Sequence, residues 1–198
     1  MSVVKATSTC NNLAPAILSA QSGARAIGMY VRLESYLAGM LGKLESPRDL
    51  RGHLATRHAD WKRLQSDARL ETLALSEAQC AVLAWLTGMH DLLQVTRQYS
   101  DRFLLLDFET LLESPAETLA NCASFLGMSG ETTRIQQAWE GVSSNYSKLT
   151  NHPYTPADRQ RTLDRGRKLR AADIGAGQAW AEEIMAPVQS LEDCREYF

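Results

Sequence analysis

The run Phe103-Leu104-Leu105-Leu106-Asp107-Phe108 constrains the fold more than any other stretch of this chain. It is too short for a helix, and its apolar residues are consecutive where a half-buried strand would alternate them. A strand of that kind is buried on both faces, as in a parallel sheet with helices packed against it. Arg25-Ala26-Ile27-Gly28-Met29-Tyr30-Val31 has the same character and reads as another buried strand, and the β-branched segment Val3-Val4-Lys5-Ala6-Thr7 reads as an earlier one.

The intervening segments carry helical signals. Leu13 to Ala20 has helical composition, with Pro15 in a first turn where its missing N–H costs little. Leu33, Tyr36, Leu37, Met40, Leu41 and Leu44 fall on one helical face. From Ser46 to about Leu70 the chain is highly charged, and Leu50, Leu54, Trp61 and Leu64 mark a narrow apolar stripe of one amphipathic helix. Ser76-Glu77-Ala78-Gln79 has the pattern of a capping box. The helix it opens should exceed roughly 20 residues, with Ala78, Ala81, Val82, Trp85, Met89, Leu92, Leu93 and Thr96 along one side.

After the central strand, Ser114-Pro115-Ala116-Glu117 predicts a helix with Ser as cap, Leu119, Cys122, Ala123 and Leu126 on its apolar face, and Gly127 as its stop. Glu131 to Trp139 reads as a short helix and Asn145 to Pro156 as a polar loop. Arg159 to Arg170 is strongly basic. A last helix carries Trp180, Ile184, Val188 and Leu191. Strands separated by helices predict an α/β fold, helix-rich with a small parallel sheet, in a single domain spanning 1–198.

Charge and cysteine usage bound the function. The formal net charge of −2 offers no global basic field for nucleic acid or an anionic membrane, so anion binding must come from a local cluster. Cys10, Cys80, Cys122 and Cys194 show no CxxC pair or metal-like spacing, and Cys80 and Cys122 sit in apolar helical patterns as core residues. No segment approaches the roughly 18 apolar residues of a membrane span, and the first residues do not resemble a secretory signal. A soluble cytoplasmic protein with reduced thiols is expected.

Several of these segments together resemble the sulfotransferase family. The stretch Leu104-Leu105-Leu106-Asp107-Phe108-Glu109-Thr110-Leu111, then Ser114-Pro115-Ala116-Glu117-Thr118-Leu119 and Phe125-Leu126-Gly127, is similar to that family's buried strand, acidic-aromatic turn and following helix. Val3-Val4-Lys5 and Arg25 to Arg32 resemble two earlier family strands, and Tyr146-Ser147-Lys148 and Gly177-Gln178-Ala179-Trp180 are similar to segments of bacterial members. The resemblance implies a P-loop-type α/β fold and the donor 3′-phosphoadenosine-5′-phosphosulfate, with a small-molecule hydroxyl or amine as acceptor. Members open with a strand and a loop of the type Pro-Lys/Arg-Ser-Gly-Thr/Ser, whose backbone N–H groups wrap the 5′-phosphosulfate. No Gly-Lys-Ser or Ser-Gly-Thr occurs here, so the chain is expected to lack the first strand and phosphate loop of the family.

Three cations become candidates for donor binding through this resemblance. Arg32 follows a buried strand, where the family's arginine holds the 3′-phosphate; the plain alternative is a surface arginine pairing with Glu34 or solvent. The family's serine eight residues later is replaced by Met40, and Ser35 is the only nearby hydroxyl. Lys5 is implied on the acceptor side, or is simply a strand-end lysine. Lys148 is placed to close over a donor, or is one more loop lysine. The basic run Arg159, Arg161, Arg165, Arg167, Lys168 and Arg170 spreads around a helix and reads as a solvated face, with an anionic ligand as the alternative. His53, His58 and His90 have no motif around them and no base is assigned, while Asp107 and Glu109 read as structural. Two functions follow: sulfuryl transfer, or a non-catalytic binding module that pairs with a second copy or a partner chain through an unpaired strand edge.

Overall fold

The computed structural model describes residues 4–5, 8–43, 46–64, 74–142 and 155–198. Its spine is a helix of 22 residues, Glu77–Gln98, preceded in the chain by helices at Ala14–Ala20 (α1), Leu33–Leu41 (α2), Ser46–Gly52 (α3) and Leu54–Leu64 (α4), and therefore α5. Its start is fixed reciprocally: Ser76 Oγ accepts from the Gln79 amide at 3.2 Å, and Gln79 Oε1 accepts from the Ser76 amide at 2.9 Å. The expected apolar side is buried, Ala81 and Val82 fully, and burial extends beyond it to Cys80, Leu83, Leu86, Thr87 and Val95, so the helix is enclosed on more than one face. Leu33, Leu37 and Ala38 of α2 pack into the same core.

Two strands, Ala26–Tyr30 (β1) and Phe103–Asp107 (β2), form a parallel pair in which Ala26 faces Phe103 and Tyr30 faces Asp107. The chain passes from β1 to β2 through α2 to α5, the long crossover that parallel strands need. Ala26, Tyr30 and Leu105 pack with the buried cluster of Phe103, Leu18, Leu92 and Val95. Gly28 leaves the space that the Phe103 ring fills, since a Cβ there would lie 2.3 Å from Phe103 Cζ. Burying Phe103 contributes on the order of 1.5–3 kcal/mol. Arg102 Nη1 donates to the carbonyls of Leu18, Gln21 and Ser22 at 2.9–3.1 Å, so the end of α1 is tied to the start of β2.

Beyond β2 the chain continues through Phe108–Glu113 (α6), Pro115–Phe125 (α7), Thr132–Val142 (α8), Pro156–Leu169 (α9) and Ala171–Met185 (α10). Gly127, at φ 73, ends α7, with Gly127 N donating to Ser124 O and Met128 N to Ala123 O. A tight 3-10 segment, Gln189–Tyr197, closes the chain against α5 and α10. The α2–α9 crossing is close: a Cβ on Gly166 would lie 2.2 Å from the Ala38 carbonyl oxygen, and one on Gly42 would lie 3.0 Å from Gly166 Cα.

The helix-rich α/β architecture with a small parallel sheet is the one expected, and several local expectations change. Val4 and Lys5 are exposed and outside any strand, while the rest of Val3–Thr7 lies outside the described residues. The chain near α1 begins instead with a 3-10 segment, Ser8–Leu13. The single amphipathic helix expected after Ser46 is two, α3 and α4, interrupted at His53 after Gly52, a residue that weakens helix continuity. Phe108 leaves the strand because Asp107 caps α6, its carboxylate accepting from the Glu109 amide at 2.9 Å. Ser114 precedes α7 with Pro115 in the first turn but makes no side-chain cap. The last helix ends at Met185, two residues before Pro187, so Val188 and Leu191 are buried from beyond it. Cys80 and Cys122 are core residues, and none of the four cysteines forms a disulfide.

Candidate functional site

The carboxyl ends of β1 and β2 lie side by side, and the residues leaving them meet there. In open parallel sheets this is where ligands bind. Arg32 stands between β1 and α2 with extended backbone (φ −57, ψ 148) and is the cap residue of α2, and its own side chain makes no cap hydrogen bond there. Its guanidinium is half exposed and lies 3.6 Å from the Asp107 carboxylate at the end of β2. The pairing with Glu34 that the plain alternative offered is replaced by this one with Asp107. Glu34 is held instead by Arg167, whose Nε and Nη2 donate to its two oxygens at 2.8 and 2.9 Å.

Arg167 also donates to Ser35 Oγ at 3.3 Å, so the serine hydroxyl nearest Arg32 in sequence is engaged from α9. A second arginine of α9, Arg159, donates to both oxygens of Glu109 at 2.5 and 3.3 Å and lies 4.7 Å from the Phe108 ring centroid. The helix α9 is thereby fastened at both strand exits, through Glu34 after β1 and Glu109 after β2. Its remaining cations are partly spoken for: Arg161 pairs with Asp158, and Arg170 pairs with Glu77 and Asp173. The basic run is therefore mostly an ion-paired face, which gives the solvated-helix reading its partners. At the exposures of Arg167 and Glu34, about a third each, the net contribution of their pair stays on the order of 1 kcal/mol.

Tyr30 lines the same corner. Burial, and then the Asp107 carboxylate, push its hydroxyl up to about 12, so it stays protonated at neutral pH and donates towards Asp107. The next residue, Val31, is fixed through its carbonyl, which accepts from Trp85 Nε1 of α5 at 2.7 Å. Covering both is the end of the chain: Tyr197 meets Tyr30 edge-on at 4.9 Å, Phe198 meets Trp85 edge-on at 5.7 Å, and the Glu196 carbonyl accepts from Arg32 Nη1 at 3.3 Å.

Of the cations singled out from sequence, Arg32 stands in this corner. Lys5 is exposed ahead of α1, and Lys148 lies outside the described residues. Sequence reasoning missed Asp107 as the partner of Arg32, the carboxylates that receive α9, and the chain end over β1. The basic run was visible, but Glu109 and Glu34, the carboxylates that fasten it to the strand exits, lie 50 and 133 residues away. His90 is half-buried beside Asp91 and Gln94, away from any motif. Among the described residues no His, Cys, Asp or Glu cluster could hold a metal, and no helix is long and apolar enough to cross a membrane.

A family model described as a sulfotransferase domain matches residues 43–190, three quarters of the chain, beginning after β1 and Arg32. No curated protein and no solved structure matches the chain.

Proposed function

Because this chain belongs to the sulfotransferase family, we propose that it serves sulfuryl transfer from 3′-phosphoadenosine-5′-phosphosulfate to a hydroxyl or amine acceptor, holding the donor's 3′-phosphate at Arg32. One observation carries the reading. Arg32 sits at the carboxyl end of a parallel strand, as the cap residue at the amino end of α2, where its side chain is not spent on a cap. A guanidinium beside the first-turn amides of a helix suits a phosphate dianion. The corner fits the 3′-phosphate end of the donor, with Arg32 exchanging Asp107 for the ligand and protonated Tyr30 available as a neutral donor.

The donor supplies the sulfuryl group, and the chain's own residues supply position. Arg32 binds, α2 orients, and the Arg167–Glu34 and Arg159–Glu109 pairs hold α9 across the strand exits. Lys148 closes over the donor and Lys5 lies towards the acceptor in this reading. The sequence carries no loop of the Ser-Gly-Thr type for the 5′-phosphosulfate, so transfer calls for that element from a further segment or chain. We propose a soluble, cytoplasmic setting for the reaction.

A second reading has an observation of its own. Among the described residues the sheet has two strands, so each leaves one edge unpaired. Such edges favour pairing with a second copy or a partner chain, and the fold would then be a non-catalytic interaction module.

Thermal unfolding with and without adenosine 3′,5′-bisphosphate separates the two. At a concentration about 100 times its dissociation constant, the ligand contributes roughly 2.7 kcal/mol, or very roughly 5–10 °C for a chain of this size. The expected result is a saturable shift that Arg32→Ala abolishes. A cooperative transition that the ligand leaves in place refutes donor binding and favours the interaction module.

A further inference from the structure

We propose that residues 196–198 form a clasp over the β1 exit that competes with an anionic ligand for Arg32. The inference rests on the reading of Arg32 as an anion site and adds a means of regulating it. Three consecutive residues leaving β1 are gripped in parallel. Tyr30 is met by Tyr197, Val31 is held by Trp85 with Phe198 against its ring, and Arg32 donates to the Glu196 carbonyl.

The segment divides into a fixed part and a light one. Leu191 and Cys194 are fully buried in the main core, and Arg195 pairs with Glu182 at 2.9 Å while Asp193 pairs with Arg97. Those contacts anchor the segment as far as residue 195. Beyond them Glu196 is exposed, Tyr197 and Phe198 are half-buried, and the hydrogen bond to Arg32 is a long one at 3.3 Å. Residues 196–198 are held by two edge-on ring pairs, by packing of Tyr197 and Phe198 at the margin of the main core, and by two long hydrogen bonds of 3.3 Å, Phe198 N to the Arg195 carbonyl and Arg32 Nη1 to the Glu196 carbonyl. That grip is lighter than the one on the fully buried Leu191 and Cys194, and these residues can lift while the anchor stays. Closed, the clasp gives the Arg32 guanidinium a carbonyl on one side, with Asp107 on the other. A dianion must displace both partners to bind in full. Ligand and clasp are then linked: each weakens the other by the same factor, and the apparent dissociation constant is the intrinsic one divided by the open fraction.

The test uses the full chain, with adenosine 3′,5′-bisphosphate as the probe. Its affinity is measured by calorimetry for the wild type and for Tyr197→Ala/Phe198→Ala, with Tyr197→Leu as a milder variant should the double one not fold. In parallel, 5-fluorotryptophan is incorporated and the Trp85 resonance, assigned with Trp85→Phe, is followed through the titration. The clasp requires the variants to bind about 5- to 10-fold more tightly and the wild-type Trp85 signal to move with occupancy as Phe198 leaves. Binding seen only in the clasp variants supports it equally. Folded variants with unchanged or weaker affinity, or a Trp85 signal indifferent to ligand, overturn the clasp and leave the Arg32 site standing. Absence of binding in every protein overturns the Arg32 reading and the clasp with it.

Discussion

Replacing Gly166 with alanine tests whether the α2–α9 crossing holds the site together. In an exposed helix position alanine is favoured over glycine by roughly 0.8–1 kcal/mol, so a helix free of contacts would gain. At Gly166 the new Cβ would lie 2.2 Å from the Ala38 carbonyl oxygen and 2.9 Å from the Ala38 carbonyl carbon. Backbone atoms cannot rotate aside, and α9 must retreat by about 1 Å, a gap that forfeits a quarter to a half of each contact's dispersion energy. Leu163, 2% exposed, loses packing with it. Overpacking of this kind costs about 1–3 kcal/mol or more, and the backbone obstacle puts Gly166→Ala at the upper end. After subtracting the propensity gain, a net loss of about 1–3 kcal/mol remains, or roughly 3–10 °C in Tm. Gly175 in α10 is the control, since a Cβ there meets nothing within 4 Å. Gly175→Ala should raise Tm by about 2–4 °C. Comparing the two by differential scanning calorimetry cancels the change both share in the unfolded state. If Gly166→Ala were as stable as Gly175→Ala, the close crossing, and with it the placement of Arg167 on Glu34, would be wrong.

Two further perturbations address the caps. Ser76→Ala removes half of the box that starts α5 and should cost about 0.5–2 kcal/mol, seen as a lower urea midpoint at unchanged m-value. Thr155 caps α9, and its hydroxyl and amide hydrogen bonds hold the Asp158 carboxyl at about 2 against an ordinary 3.8. A carboxyl lowered on folding stabilises fully above about pH 4, and that stabilisation is lost as pH falls towards 2. Tm profiles of wild type and Thr155→Ala should therefore converge between pH 4 and 2; parallel profiles across that window would contradict the cap.

The parts of this fold that are legible in sequence are those written locally. Phe103 to Leu106 could only be a buried strand, Ser76 and Gln79 spelled out the start of α5 within four residues, and Gly127 marked a helix stop by its freedom at positive φ. Where local signals were outweighed, the reasons are specific. Asp107 looked like the end of a strand because its capping role depends on the residues after it, and α6 went unread. Val188 and Leu191 kept helical spacing with Trp180 and Ile184, but Pro187 forbids the helix they suggested. At the candidate site Arg32 was visible from its place after β1. Its partners Asp107 and Glu196, and the carboxylates that receive α9, are brought together only by the tertiary fold. No spacing rule within one segment could have named them.

The pairing of β1 with β2 also has a kinetic side. Roughly 77 residues separate Ala26 from Phe103, and closing a loop of that length costs about 4 kcal/mol of chain entropy before any ladder bond forms. The long α5 needs only local contacts and its own cap, so helices can precede the sheet by a wide margin in time. Arg32, Tyr30 and Asp107 become neighbours only at that late closure. A partly folded chain would have most of its helices and none of the proposed anion site, so if Arg32 binds the proposed ligand, that binding would report a late event of folding and hold it shut.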